Sequence, residues 1–327
     1  MKSHPFFKPC AALLCLLLVD LIYIPGFFQV EIKQGHLYGS LIDIANRAAP
    51  LILTALGMTL VIATRGIDIS VGAVAAISGT AAVLLMGAGT SHAVVTAVLV
   101  AAACAVLCGL WNGLLVAGIG LQPIITTMIL MVAGRGLAQL LSDGQIATAQ
   151  YAPFFFIGSG YWFGLPVSLY IVVLGFMSIW LLVHKTAFGL FIQVVGINPA
   201  AARLAGVNAG VLIVFCYVIC SVCAGLAGVM ICSNIKSADA NNIGLLLELD
   251  AILAVTLGGT SLDGGKFSLT GTLIGALIIQ TLTYTIYSLG VAPELNMIIK
   301  ALVVLAVCIS QSTEFNNMVK QIKRVAS

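Results

Sequence analysis

Charge is what this sequence has least of. Acidic and basic side chains make up 8% of 327 residues, against roughly 25% in a soluble domain. So few charges cannot clothe a water-soluble fold of this length. Histidine is also scarce, at four residues, and none accompanies the cysteines or the close carboxylates Glu248 and Asp250. That removes the usual sets for metal binding and for acid–base or nucleophilic catalysis. No glycine-rich loop of the P-loop type is present, so any energy for active work must come from an ion gradient or another chain. The net charge of +3 is too small for a nucleic-acid surface, and no basic stripe interleaves with aromatics.

What is present is apolar. Hydrophobic residues make up 61% of the chain and the mean hydropathy is +1.15. The chain reads as an all-α, polytopic integral membrane protein forming a single transmembrane domain over residues 1–327. Windows of about 20 apolar residues are the unit of such a fold. Ten are found, at 9–28, 48–64, 67–87, 94–117, 121–141, 164–183, 211–235, 243–262, 269–289 and 296–311. Those at 48–64 and 296–311 are short, and 243–262 carries two carboxylates. Lys2 and Lys8 before the first window imitate a secretory signal. Asp20 interrupts that window and no small-residue cleavage site follows, so it is expected to be a retained helix.

Lysine and arginine placement sets orientation. With the N-terminus inside, the inner segments hold nine cations: Lys2, Lys8, Arg65, Lys185, Arg203, Lys266, Lys320, Lys323 and Arg324. The outer segments hold three, Lys33, Arg47 and Lys236, while Arg135 and Lys300 fall within spans. Both termini are therefore expected in the cytoplasm, which an even number of spans allows. Spans two to five and seven to ten have similar lengths and are rich in glycine. They are offset by an odd number of spans, so a repeat would be inverted, as is common in transporters. The sequence match between these groups is weak.

The longest inner loop, about 184–210, is too poor in charge for a disordered linker. Asn198-Pro199 followed by AAARLAG reads as a helix start, with Asn198 as N-cap and Pro199 at the first position. A short helix outside the membrane needs a surface to pack on, which points to a cytoplasmic partner.

The polar residues within the spans carry the remaining information. Arg65 and Gly66 form a tight inner turn, and Asp68 follows at the start of the third span. A carboxylate at mid-bilayer costs about 2.5–3.5 kcal/mol, less at a helix entrance where the dipole favours it. Asp68 is either a helix-start residue or a gating group. Glu248 and Asp250 lie two apart and diverge by about 200° on a helix, so they cannot share one partner. Lys300 is a candidate partner for one of them; alternatively both sit at the outer interface. Asn112, Thr126, Thr127, Arg135, Gln139 and Gln280 serve either as hydrogen-bonding glue between helices or as a polar path for an uncharged, hydroxyl-rich solute. A cation path would need more carboxylates at depth. The nine cysteines lie in or beside apolar runs and read as small packing residues.

Four segments then resemble, in order, blocks of one known family: GMTLVIATRGIDISVGAV, GLWNGLLVAGIGLQPIITTMILMVAGRGLAQ, TAFGLFIQVVGINPAAARLAGV and ELDAILAVTLGGTSLDGGKFSLTGTLIGALII. The family is the permease subunits of the ribose-type sugar ABC importers of bacteria. The resemblance runs from about residue 45 to 308 and is nearest to the galactofuranose-type permeases. It implies a permease that binds no cofactor itself, ATP and magnesium residing on a separate ATP-binding subunit. It also implies a second permease subunit, related or identical, a periplasmic sugar-binding protein, a monosaccharide substrate and surrounding lipid, in the bacterial inner membrane. The family's coupling segment falls on Thr186 through Val207, with Thr186, Gly189, Gly196, Asn198, Ala202, Arg203 and Gly206 at matching positions. Its glycine–aspartate block falls on Gly66, Asp68, Ser70 and Gly72. Its glutamate–leucine–aspartate block falls on Glu248 and Asp250. Asp68, Asn112, Thr126, Thr127, Glu248, Asp250 and Gln280 are the pore or gating candidates. Arg65, Lys266 and the Ser237-Ala238-Asp239 turn depart from the family pattern and weaken any transfer of exact sugar specificity. The competing expectation is an ion-coupled secondary sugar transporter with Glu248 or Asp250 as coupling group.

Overall fold

The computed structural model describes residues 7–33, 35–86, 93–292, 295, 297–302 and 305. In chain order come α1 (Phe7–Tyr23), the ribbon β1–β2 (Glu31–Lys33, His36–Tyr38), α2 (Ser40–Ala63) and α3 (Val71–Met86). Then come α4 (Ala93–Leu114) with a π-helical end at Leu115–Ile119, α5 (Pro123–Leu141), β3 (Ala147–Thr148), α6 (Ala152–Ser159) and the ribbon β4–β5 (Tyr161–Trp162, Leu165–Pro166). The remainder is α7 (Val167–Lys185), α8 (Phe188–Ile197), α9 (Pro199–Leu204), α10 (Ala209–Ile235), β6 (Ser237–Ala238), α11 (Leu247–Leu257) and α12 (Leu269–Ser288).

Among the described residues, six helices are long and apolar enough to cross a membrane: 40–63, 94–119, 123–141, 167–185, 209–235 and 269–288. The ten windows read from hydropathy differ from this in instructive ways. The second window begins too late, because α2 starts at Ser40 and takes in Asp43 and Arg47, which pair with each other at 2.9 Å. The third is a 16-residue helix that starts at Val71. The eighth, 243–262, contains an 11-residue helix, about 16 Å long and half the bilayer core. Its lead-in turns through left-handed Gly244 and Leu246 and buries Ala240 and Ile243. Arg135 on α5 satisfies that backbone, donating to the carbonyls of Ala240 at 3.0 Å and Ile243 at 2.5 Å. Irregular backbone survives in a membrane only where protein groups satisfy it. Of the tenth window, residues 297–302 are helical and most of the rest lies outside the described residues.

The core is α2, α3 and α10, with every residue of α2 from Leu51 to Ala63 buried. Lipid offers no hydrophobic drive between helices, so close approach of small residues does the packing. A Cβ on Gly57 would stand 2.7 Å from the Cys220 Cα of α10. Gly79 meets the Cys232 sulfur, and Gly228 meets the Ala75 backbone. The expectation of cysteines at helix contacts holds for Cys216, Cys220, Cys223 and Cys232, all buried on α10. Around this core α4, α5 and α7 turn apolar side chains outward, with Leu107, Leu140 and Leu174 each more than two-thirds exposed. That is the inverse of a soluble surface.

The chain reversals gather at two ends. The lower end holds the α2–α3 turn, α8, α9 and the α11–α12 loop, joined by Arg65 and by a Gly265 N–H to Ala63 carbonyl bond of 2.9 Å. The upper end holds the three ribbons and α6. There β3 pairs antiparallel with β6, and Leu37 donates to the Gly164 carbonyl at 2.9 Å.

Candidate functional site

At the lower end the α2–α3 reversal forms a buried polar knot. Arg65 adopts φ +66° and turns the chain. Asp68 then lies before α3 rather than in its first turn, and is wholly buried. Its Oδ1 accepts the Ser70 N–H at 3.0 Å, the Ser70 hydroxyl at 2.6 Å and the Asn112 Nδ2 at 3.3 Å. Asn112 on α4 also donates to the Ser70 Oγ at 2.8 Å. From α5, Thr127 donates to the Ile67 carbonyl at 3.3 Å and accepts the Ile69 N–H at 3.2 Å. From α10, the Tyr217 hydroxyl reaches the same carbonyl at 3.5 Å. Three helices thus hold one turn. Asp68, Asn112 and Thr127 are brought together here, whereas Thr126, though buried, bonds only within its own helix, to the Gln122 carbonyl. Tyr217 gave no signal in sequence, since an aromatic in an apolar run reads as packing.

The carboxylates on α11 diverge as their spacing requires. Asp250 pairs with Lys300 at 2.6 Å, with side chains 25% and 17% exposed. Glu248 is buried against Gly72, where a Cβ would collide with its Oε2 and with the Gly244 carbonyl. That Oε2 has no hydrogen-bond partner among the described residues. The helix begins at Leu247, four residues after the start of the window, and holds both carboxylates in its first turn, Glu248 buried and Asp250 half-buried.

Below the knot, α8 and α9 form a compact surface unit. Thr186 bonds the Leu182 carbonyl and accepts the Phe188 N–H at 3.2 Å, starting α8. Gly189 packs on the Val183 backbone, and Gly196 on Ala63 and Gly265. Asn198 caps α9, its Oδ1 accepting from Ala200 at 3.0 Å and Ala201 at 3.1 Å, with Pro199 at the first helical position. Ala202 is buried with Val195 and Ala209. Arg203 is exposed, and Gly206 turns the chain at φ +81° with open space around it. Leu190, Ile197 and Leu204 are 63%, 60% and 92% exposed, a large apolar face for a surface unit. Arg65 ties this unit to the core, donating to the Ile197 carbonyl at 2.9 Å and the Asp263 carbonyl at 2.9 Å.

Gln280 stands apart from these groups. It lines a cavity of about 560 Å³ between α2, α6, α7, α10 and α12, together with Asp43, Asn46, Arg47, Asn234 and Tyr284. Most of these polar residues were not singled out in the sequence. Arg47 was counted as a loop cation, and Asn46 sits in an apolar stretch.

The described residues thus form a helical bundle with membrane-length spans, its polar groups gathered at a helix reversal, a broken span and a cavity. Comparison with known proteins gives the family. The model for the permease component of branched-chain amino acid transport systems matches residues 40–308, and the chain belongs to that family of permeases. It is 50% identical over 312 residues to the galactofuranose transporter permease protein YtfT of Escherichia coli strain K12, covering 95% of this chain and 91% of that one. It is 38% identical to the fructose import permease protein FruF of Bifidobacterium longum, over 96% of this chain and 89% of that one. It is 35% identical to the ribose import permease protein RbsC of Escherichia coli strain K12, over 91% of each chain. No solved structure gives a significant match.

Proposed function

We propose that this chain is the membrane-spanning permease subunit of an ABC importer that carries galactofuranose or a similar monosaccharide across the bacterial inner membrane. The observation that carries this reading is the 50% identity to a galactofuranose permease over 95% of the chain. Fructose and ribose permeases among its relatives support the wider sugar class.

In this reading ATP is bound and hydrolysed on a separate subunit docked on the lower, cytoplasmic end. The exposed Leu190, Ile197 and Leu204 supply an apolar contact, and Thr186, Gly189, Gly196, Asn198, Ala202, Arg203 and Gly206 shape the docking unit. A displacement of α8 reaches the core through Arg65, which bonds α8, the α2–α3 turn and the α11–α12 loop together. The polar knot of Asp68, Ser70 and Asn112 keeps that turn rigid, so the push moves helices rather than deforming a loop. A second permease subunit completes the route, and a periplasmic binding protein delivers sugar to the upper end. Both termini lie in the cytoplasm. The fructose and ribose import permeases among the relatives favour the importer over the ion-coupled alternative.

The test is to express the tagged chain with its genomic neighbours, purify the assembly and measure sugar uptake in liposomes. Co-purification of an ATP-binding subunit and uptake that needs ATP and binding protein support the importer. Isolation of this chain alone, with uptake that collapses when the proton gradient is dissipated, overturns it.

A further inference from the structure

The 560 Å³ cavity does not stand alone. A second cavity of about 290 Å³ shares Asp43, Asn46 and Tyr284 with it and opens toward Tyr38 and Tyr161 at the upper end. Together they make an aromatic-rimmed mouth leading to a polar chamber. The chamber lies within the ~300–1,000 Å³ range of small-molecule sites.

The chemistry of the wall narrows the ligand. Among the described residues its only charged ones are Asp43 and Arg47, and they neutralise each other through an Arg47 Nε to Asp43 Oδ2 bond of 2.9 Å. A charge-compensated wall does not select an ion. The pair leaves Asp43 Oδ1 as an acceptor and the Arg47 terminal nitrogens as donors. Asn46 accepts from Ser168 through its oxygen, which frees its Nδ2. Asn234 donates to the Gly158 carbonyl at 3.2 Å, which frees its oxygen. The Gln280 amide makes no hydrogen bond to any described residue, and it points from α12 into a wall of amides and hydroxyls. Unsaturated donors and acceptors in both senses match adjacent hydroxyls, which donate and accept at once. The Tyr284 and Tyr287 rings offer apolar faces beside them, suited to the C–H face of a sugar ring.

We infer that this mouth and chamber are a binding site for an uncharged monosaccharide, contained in this one chain at its upper end. The inference rests on the sugar-importer reading and adds a holding place for the solute ahead of the path between permease subunits. Gln280, Asn46 and the Asp43–Arg47 pair are the recognising groups, and the tyrosines are the platform.

The experiment uses the purified permease–ATPase assembly in lipid nanodiscs, without binding protein. Saturation-transfer NMR reads contact with free D-galactose, D-ribose and D-fructose as probes. Two variants are compared: Gln280→Leu, which removes the amide at similar volume, and Thr283→Trp, which fills the chamber. Monodisperse elution with the ATPase subunit bound checks folding for each. The expected result is transfer to at least one sugar in the wild type, about tenfold weaker binding in Gln280→Leu and loss of the signal in Thr283→Trp. The KM for uptake should rise in both variants. If binding-protein-dependent uptake is normal in wild type and in both folded variants, and no probe shows transfer, the chamber is not a sugar site and the importer reading stands. If the assembly moves none of the three sugars even with binding protein and ATP, the importer reading fails and takes this inference with it.

Discussion

The buried carboxylate of Asp68 offers the sharpest test of how the α2–α3 reversal is held. Replacing it with alanine removes the acceptor of three hydrogen bonds. Asn112 keeps a partner, because its Nδ2 also donates to Ser70 Oγ at 2.8 Å. The Ser70 N–H and hydroxyl are left without their acceptor in a wholly buried place. A buried orphan costs about 1–3 kcal/mol, and the hydroxyl can rotate, so the sum is about 3 kcal/mol. Asp68→Asn is different. Its amide oxygen can stand in for Oδ1, and the atom it converts, Oδ2, has no partner to lose. What disappears is charge beside the α3 N-terminus, about 0.5–1 kcal/mol. For a long chain roughly 2 °C of melting temperature follows each kcal/mol. Heating followed by fluorescence-detected size exclusion should therefore show a loss of about 6 °C for Asp68→Ala and about 2 °C for Asp68→Asn. Equal losses, or an alanine variant that melts with wild type, would refute the hydrogen-bond accounting. Uptake should fall in both variants, since this turn links the most buried helices to the docking unit. Wild-type uptake by Asp68→Asn would reduce the carboxylate to a local clamp.

Two further expectations follow from the same structure. Asn198→Ala removes the only side-chain cap of a six-residue helix, which costs about 1 kcal/mol. Transport per ATP hydrolysed should drop about fivefold, while Asn198→Asp, which keeps the acceptor, should restore it; an aspartate variant as poor as alanine contradicts the cap. For the Asp250–Lys300 pair, Asp250→Asn or Lys300→Met alone strands a partly buried charge and should cost about 1–3 kcal/mol. The double variant should recover most of that loss in a melting cycle, and strict additivity would show the two side chains to be independent.

Much of this was legible in the sequence, for physical reasons. Long apolar helices announce themselves because lipid demands about 20 such residues in a row. The α9 start was readable because an asparagine cap and a proline act locally. The divergence of Glu248 and Asp250 followed from helical spacing alone. What stayed hidden depends on contacts between distant segments. The lead-in to α11 looks as hydrophobic as a helix, and only Arg135, over a hundred positions earlier, lets its carbonyls stay non-helical. Asp68 was placed in a helix because hydropathy cannot see that Ser70, Asn112 and Thr127 stabilise an open turn. The chamber was missed because Asn46, Asn234 and Gln280 become one wall only when α2, α10 and α12 pack together.

The guanidinium of Arg65 has a consequence for engineering. It recognises two backbone carbonyls rather than side chains, at Ile197 and at Asp263, so neither position advertises its role through its residue type. A designer who grafts residues 186–207 from a relative, to redirect the chain to a foreign ATPase, would see no partner to transplant. On the importer reading the graft must nonetheless return a carbonyl to within hydrogen-bond reach of residue 65, or the new unit will dock its motor and drive nothing. In the proposed importer, residues 186–207 are not a portable part; their exchangeable form is three pieces of chain, the turn at 64–70, the loop at 258–268 and the segment itself.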